Sequence, residues 1–173
     1  MISAKFKEEL PIRIRKAADQ VPSAQAALVL DGFRRIIKAL RQTASETQAH
    51  SGISAAQLFV LESLRPSGTY SINELARLTH TDRSSVAAIV DKLAAGKYVR
   101  RSWSSADRRR AEISITRAGR LLVSRTGDAP TVRLLRSLAQ LSPAELKGLA
   151  GGLSRLQAAM GIADERVAML FED

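Results

Sequence analysis

The chain has 173 residues, a length that fits one domain of ordinary size or one small domain carrying a dimerisation extension, and its 45% hydrophobic and 25% charged residues exclude a disordered chain. Aromatics are 4% while Ala and Leu abound, which disfavours a β-sandwich or barrel, and the lack of cysteine excludes disulfides and thiolate zinc sites. The net charge of +10 is concentrated: residues 65–125 hold 13 Lys and Arg against five Asp and Glu, which fits either an electrostatic footprint for a polyanion or a solvated basic face.

Residues 1–22 form an arm in which Pro11 and Pro22 punctuate an alternation of Ile12 and Ile14 with Arg13 and Arg15, predicting a short strand or a partly ordered tail. The start has neither the apolar core nor the cleavage site of a secretory signal. No strictly apolar run is longer than the five residues of Ala26 to Leu30, so no membrane span is expected and the expected location is cytoplasmic. A long helix is predicted from Ser23 to Ala49, with Ala27, Leu30, Ile37 and Leu40 at helical spacing and Gly52 as its stop.

Three later helix starts share one signature, a Ser followed three residues on by Gln or Glu: Ser54 with Gln57, Ser71 with Glu74, and Ser142 with Glu145. In each, the hydroxyl accepts from the third backbone N–H while the longer side chain returns to the cap N–H. The second helix is predicted over 54–65, before the turn Pro66-Ser67-Gly68. The third covers 71–79, with Ile72, Leu75 and Leu78 inward, and is broken by His80-Thr81-Asp82. The fourth covers 82–95, capped by Thr81 or Asp82, with Val86, Ile89, Val90 and Leu93 on one stripe and Gly96 as the stop. The period then becomes two, over 99–103 and again over 111–115, and the polar stretch between them predicts a β-hairpin. Thr116 caps a fifth helix running to about Leu141, which Gly127 and Pro130 bend or interrupt. The sixth, over 143–160, carries Leu146, Leu149, Leu153 and Leu156, and the tail from Asp164 is a last short helix or a frayed end.

Helices two to four followed by a hairpin describe a helix-turn-helix with a wing. The fourth helix opens Thr81-Asp82-Arg83-Ser84-Ser85, short hydroxyls and one Arg, which suits a helix end in the major groove or an ordinary capped start. A helix N-terminus also favours a phosphate there. The hairpin holds Arg100-Arg101 and Arg108-Arg109-Arg110, cations costly to crowd unless a polyanion relieves them; a solvated edge strand is the alternative. Asp107 pairs with a neighbouring Arg and fixes the tip.

These residues resemble the MarR family of bacterial winged-helix regulators. The resemblance rests on Ser71-Ile72-Asn73-Glu74-Leu75-Ala76, on Thr81-Asp82-Arg83-Ser84-Ser85-Val86 with Val90-Asp91-Lys92-Leu93, and on Gly96-Lys97-Tyr98-Val99-Arg100-Arg101. It closes with the run from Asp107 to Gly119 and spans about Ile53 to Arg120. It implies a mainly α fold, a winged helix-turn-helix of three helices plus a β-hairpin wing with N- and C-terminal dimerisation helices. The implied divisions are an arm over 1–22, a dimerisation helix over 23–52, a DNA-binding domain over 53–118 and dimerisation helices over 119–173. It further implies a homodimer on a pseudo-palindrome, recognition helices in successive major grooves, and often a small phenolic or anionic effector between the dimerisation helices and the winged unit. Carried onto this chain, Arg83, Ser84 and Ser85 face bases or nearby phosphates, and Ser71, Asn73 and Arg77 lie near the backbone. Arg109 is the wing-tip candidate with Arg108 or Arg110 on phosphate, Asp107 orients the wing, and Thr81, Lys92 and Arg100 complete the implied DNA-binding set.

The chain departs from the pattern in three places. Ser104-Ser105 replaces the usual Asp-Pro before the tip, Gly127 and Pro130 interrupt a helix that is often continuous, and the family's peroxide-sensing cysteine is missing. The single Trp, Trp103, lies in the wing rather than in the dimerisation helices, and is expected to pack between wing and core, with stacking on a sugar or base as the alternative. His80 is read as a turn residue, and His50 as a helix-end cation or a ligand-pocket residue. No catalytic residue, metal or cofactor is expected; a small organic effector is. The expected function is a ligand-responsive repressor binding double-stranded DNA. The alternative is a winged-helix module binding RNA or protein.

Overall fold

A Ser or Thr side chain caps four of the helices in the computed structural model, which describes residues 23–64, 68–103, 111–163 and 170–171. The elements in chain order are α1 (Ser23–Ser51), α2 (Ala55–Leu64), β1 (Thr69–Tyr70), α3 (Ile72–Leu78), α4 (Arg83–Ala95), β2 (Val99–Trp103), β3 (Ala111–Ile115), α5 (Arg117–Arg125), α6 (Pro130–Leu138) and α7 (Pro143–Met160). All three predicted capping boxes are present. Ser54 N–H donates to Gln57 Oε1 at 2.8 Å, Ser71 N–H to Glu74 Oε2 at 2.7 Å, and Ser142 N–H to Glu145 Oε2 at 2.8 Å. Each Ser hydroxyl accepts the third N–H in return, at 3.3 Å.

The chain divides into two units, Met1–Ala39 and Leu40–Asp173. The described part of the first is helical, with Leu28, Val29, Leu30, Ile36 and Ile37 exposed and Asp31 paired to Arg35 at 2.7 Å. The core lies in the second unit. α2 is its centre, buried at Ala55, Ala56, Leu58, Phe59, Val60, Leu61 and Leu64, which explains why it reads as apolar all round rather than as one stripe. Leu75 of α3, the predicted stripe of α4 (Val86, Ile89, Val90, Leu93), Val99, Ile113, Ile115 and Val123 pack around it.

The hairpin is larger than predicted. β1 joins it, giving an antiparallel sheet in the order β1-β3-β2, with Thr69 opposite Ser114, Tyr70 opposite Ile113 and Val99 opposite Ile115. The predicted fifth helix is two helices. Thr126 is extended, and Pro130 opens α6 at a position where its missing N–H costs nothing.

One expectation fails here. Leu78 does not point inward but is 50% exposed, while Thr79 is buried. From Ile72 and Leu75 the inward face of an α-helix falls next at four residues on rather than three, so Thr79 takes that place. Its hydroxyl is satisfied by the Leu75 carbonyl at 2.8 Å.

Gly96 ends α4 as predicted, serving as its C-cap, but not through left-handed geometry. It is right-handed, at φ −74, and its missing side chain makes room for the Tyr98 ring, which an added Cβ would meet at 2.8 Å. The left-handed residue is Lys97, at φ 60. Its N–H bonds to the Ala94 carbonyl at 2.9 Å, and the Tyr98 N–H bonds to Leu93 at 2.9 Å. A side chain in this region costs about 1 kcal/mol. Lys97→Gly is therefore expected to raise stability by about 0.5 kcal/mol, the relieved strain outweighing the added freedom of the unfolded chain. A urea midpoint that rises at unchanged slope checks this; a midpoint that falls shows the lysine stem contributing more than the strain costs.

Candidate nucleic-acid interface

The turn between α3 and α4 is built on backbone bonds. His80 is left-handed at φ 50, its N–H reaching the Arg77 carbonyl at 3.3 Å while the Thr81 N–H reaches Ala76 at 3.0 Å. This closes α3 with the same motif that closes α4, and it confirms His80 as a turn residue. Thr81 is half-buried beside it.

Of the two candidate caps for α4, Asp82 is the one used. Its carboxylate accepts from the Ser85 N–H at 2.9 Å, from the Ser85 hydroxyl at 2.7 Å and, over a very short contact, from the Ser84 hydroxyl. The Ser84 hydroxyl first, then the Ser85 N–H and hydroxyl, hold the Asp82 carboxyl far below the usual carboxylate range, so it stays ionised throughout the neutral region. The phosphate expected at this helix start therefore meets an anion already in place. Asp82 occupies the N–H and offsets the positive end of the dipole. Arg83 is the first helical residue and is exposed, as is Ser84, while Ser85 is half-buried.

Asn73, Arg77, Lys92 and Arg100 are all exposed. Ser71 is half-buried, and its hydroxyl serves α3 as the cap, donating to Glu74 at 2.8 Å. Asp107, Arg108, Arg109 and Arg110, the predicted wing tip, lie outside the described residues, as do the arm over 1–22 and the Ser104-Ser105 departure.

Two residues of the wing stand out that were not among the predicted site residues. Arg101 pairs with Asp91 of α4 at 2.5 Å, so a guanidinium joins the first wing strand to the candidate recognition helix. Both groups are largely solvated, so the pair adds little to stability; it bridges β2 and α4 at the surface. Alternation held the clue, because Arg101 falls on the same face of β2 as Val99, the side that packs toward α4, where Asp91 is within reach. The second is Trp103, which does not pack between wing and core: it is 69% exposed. It shares the inner face with Val99, but four residues at about 3.3 Å each carry it well along the strand, past the pair that ties β2 to α4.

His50 sits in the last turn of α1, with Nδ1 donating to the Glu46 carbonyl at 2.7 Å. It lines a polar cleft of about 280 Å³ with Thr43, Glu46, Thr47 and the loop from Arg125 to Asp128. Among the described residues no cluster of His, Asp or Glu could hold a metal ion, and no helix is long and apolar enough to cross a membrane.

Comparison with known proteins points the same way as this geometry. A family model described as MarR family matches residues 53–111. The HTH-type transcriptional repressor MdtR of Bacillus subtilis is 28% identical over 104 residues, 60% of this chain and 64% of that protein. The HTH-type transcriptional regulator YfiV of the same organism is 30% identical over 108 residues, 62% of this chain and 68% of that protein. The chain thus spans about two thirds of the length of these relatives. Among solved structures, BpsR of Bordetella bronchiseptica, whose DNA binding is regulated by 6-hydroxynicotinic acid, matches at 27% identity and a TM-score of 0.52, covering 75% of this chain and 98% of that one.

Proposed function

The chain belongs to the MarR family, a family of transcriptional regulators and not of enzymes, and from this premise we propose that it is a sequence-specific regulator of double-stranded DNA. In this reading it binds a pseudo-palindromic operator as a homodimer, represses transcription in the cytoplasm, and is released by a small organic effector. The observation that carries the reading is the α3–turn–α4 unit, with Arg83 exposed at the head of α4 and Asn73, Arg77, Lys92 and Arg100 exposed around it. An Arg at a helix start in the major groove donates two bonds to guanine, and the surrounding cations and amide meet phosphates. Asp107, Arg108, Arg109 and Arg110 complete the reading as the wing tip in the flanking minor groove.

Two further observations support the finer parts. α7 buries none of its residues within the chain, although Leu146, Leu149, Leu153 and Leu156 form a stripe along it, as a dimer helix would. The cleft at His50 combines an imidazole, Arg125 and hydroxyls with the carboxylates of Glu46 and Asp128, a mixed polar lining that supports a small polar organic effector without selecting an acid.

Selection of duplexes from a random pool, with mass measured for the free and bound states, tests the reading. A two-fold symmetric consensus bound by one dimer is expected. Recovery of no consensus, or equal binding to RNA, overturns it in favour of a non-specific or RNA-binding module. On the selected duplex, Arg83→Ala is expected to cost about 1–3 kcal/mol and to relax one base position. An unchanged consensus with unchanged affinity would remove the base-reading role from Arg83.

A further inference from the structure

The wing presents an apolar surface that the fold leaves uncovered. Trp103 is the single tryptophan of the chain and keeps 69% of its surface in water, forfeiting burial that an indole usually obtains. It ends the described part of β2, on the face shared with Val99 and Arg101. The residue opposite it on β3 is Ala111, whose methyl group can cover little of an indole. One step back along the same face, Arg101 pairs with Asp91 of α4 at 2.5 Å, so this face of β2 lies beside α4. Arg100 is exposed on the opposite side of the strand.

We propose that Trp103 is a DNA-contacting residue, its indole lying on the deoxyribose wall of the groove next to the one entered by α4. The inference rests on the DNA-binding reading above. The partner is argued from charge and chemistry. The indole stands in the most cationic stretch of the chain, where a polyanion is the complementary surface. Of the surfaces of duplex DNA, the sugar faces are apolar and tolerate any sequence. The ring N–H, a donor only, suits a phosphate oxygen or a minor-groove acceptor. Apolar side chains set against sugars and base steps are a recurring device of minor-groove binding. The Arg101–Asp91 pair, on the same face of β2, marks that face as the one beside α4.

The sole tryptophan is its own probe. Binding of a fluorescein-labelled duplex, recovered by the wild-type protein from a random pool, is followed by anisotropy, and accessibility of the indole by acrylamide quenching. Acrylamide is neutral, so the field of the DNA does not change its local concentration. The expected result is a severalfold fall in the quenching constant when the duplex saturates the protein. Trp103→Ala is expected to bind roughly tenfold more weakly, and Trp103→Phe within about threefold of wild type. The melting temperature of the free variants is expected to be unchanged, because the side chain packs on little. Tight binding with an indole still open to acrylamide, or with Trp103→Ala binding as wild type, overturns the inference and leaves the DNA reading standing. Failure to recover or bind any duplex takes both down. An indole already shielded in the free protein, increasingly so as concentration rises, assigns the face to a second copy and overturns the inference as well.

Discussion

Gly119→Ala is expected to destabilise the protein by about 3 kcal/mol and to lower its melting temperature by roughly 10 °C. Gly119 lies in the first turn of α5, where a Cβ would stand 2.3 Å from the Tyr98 carbonyl oxygen and 2.8 Å from Ile115 Cγ1. The nearer atom is backbone and cannot rotate away. It is also held from several sides. The Thr116 N–H donates to the Tyr98 carbonyl at 2.9 Å, and the Thr116 hydroxyl reaches the Lys97 and Tyr98 carbonyls at 2.8 and 3.0 Å while accepting the Gly119 N–H at 3.1 Å. One added methyl group must therefore push the start of α5 away from the residues that lead into β2, breaking the cap and loosening Ile115 in the core. Gly127→Ala is the control, since nothing lies within 4 Å of its Cβ position, and it is expected to change stability by less than about 0.5 kcal/mol. Equal melting temperatures for the two variants would show that α5 can shift without cost.

Leu153→Glu is expected to convert the protein to a monomer and to weaken operator binding by at least about 100-fold, because two winged units on one site gain an avidity of that order only while they are linked. α7 has no buried residue, so packing within its own chain does not hold it. What holds it locally is the Ser142–Glu145 capping box, in which the Ser142 hydroxyl and then its N–H keep the Glu145 carboxyl below its usual range. Leu153, 37% exposed, sits in the middle of the leucine stripe. A carboxylate there leaves helix propensity nearly unchanged but cannot be buried against a second α7. Sedimentation and circular dichroism separate the effects: the helical signal is expected to persist while the mass halves. A dimer of wild-type affinity would move the interface off α7.

What was legible in the sequence follows from how far each signal reaches. The capping boxes at Ser54, Ser71 and Ser142 are local chemistry over four residues, and each helix starts where they put it. The stripe of α4 is legible because four apolar residues repeat one angle. β1 was not, because Thr69-Tyr70 is too short to carry a period, and only pairing with Ser114 and Ile113 makes it a strand. Leu78 misled because an apolar residue three positions on looks like a stripe until the true angle hands the face to Thr79. Lys97 was hidden by its neighbour: Gly96 invites the left-handed assignment, yet its job is to clear space for Tyr98. Trp103 lies on the inner face, as its spacing requires, but its exposure depends on where α4 ends in space, which no spacing within β2 records. In the site, the residue types were legible and their hydrogen bonds were not. Nothing in the order Asp82-Arg83-Ser84-Ser85 says that the serines bond to the aspartate.

Those bonds also limit which bases the head of α4 can accept as neighbours. The Ser84 proton is committed to Asp82, so the exposed side of its oxygen offers lone pairs alone. A base edge meeting it must bring a hydrogen, which the exocyclic amino groups of adenine and cytosine do, whereas the guanine and thymine edges in the major groove present acceptors. On the DNA-binding reading proposed above, that hydroxyl is therefore expected to favour an adenine or cytosine amino group where it meets a base edge, a preference set by a carboxylate two residues back along the chain.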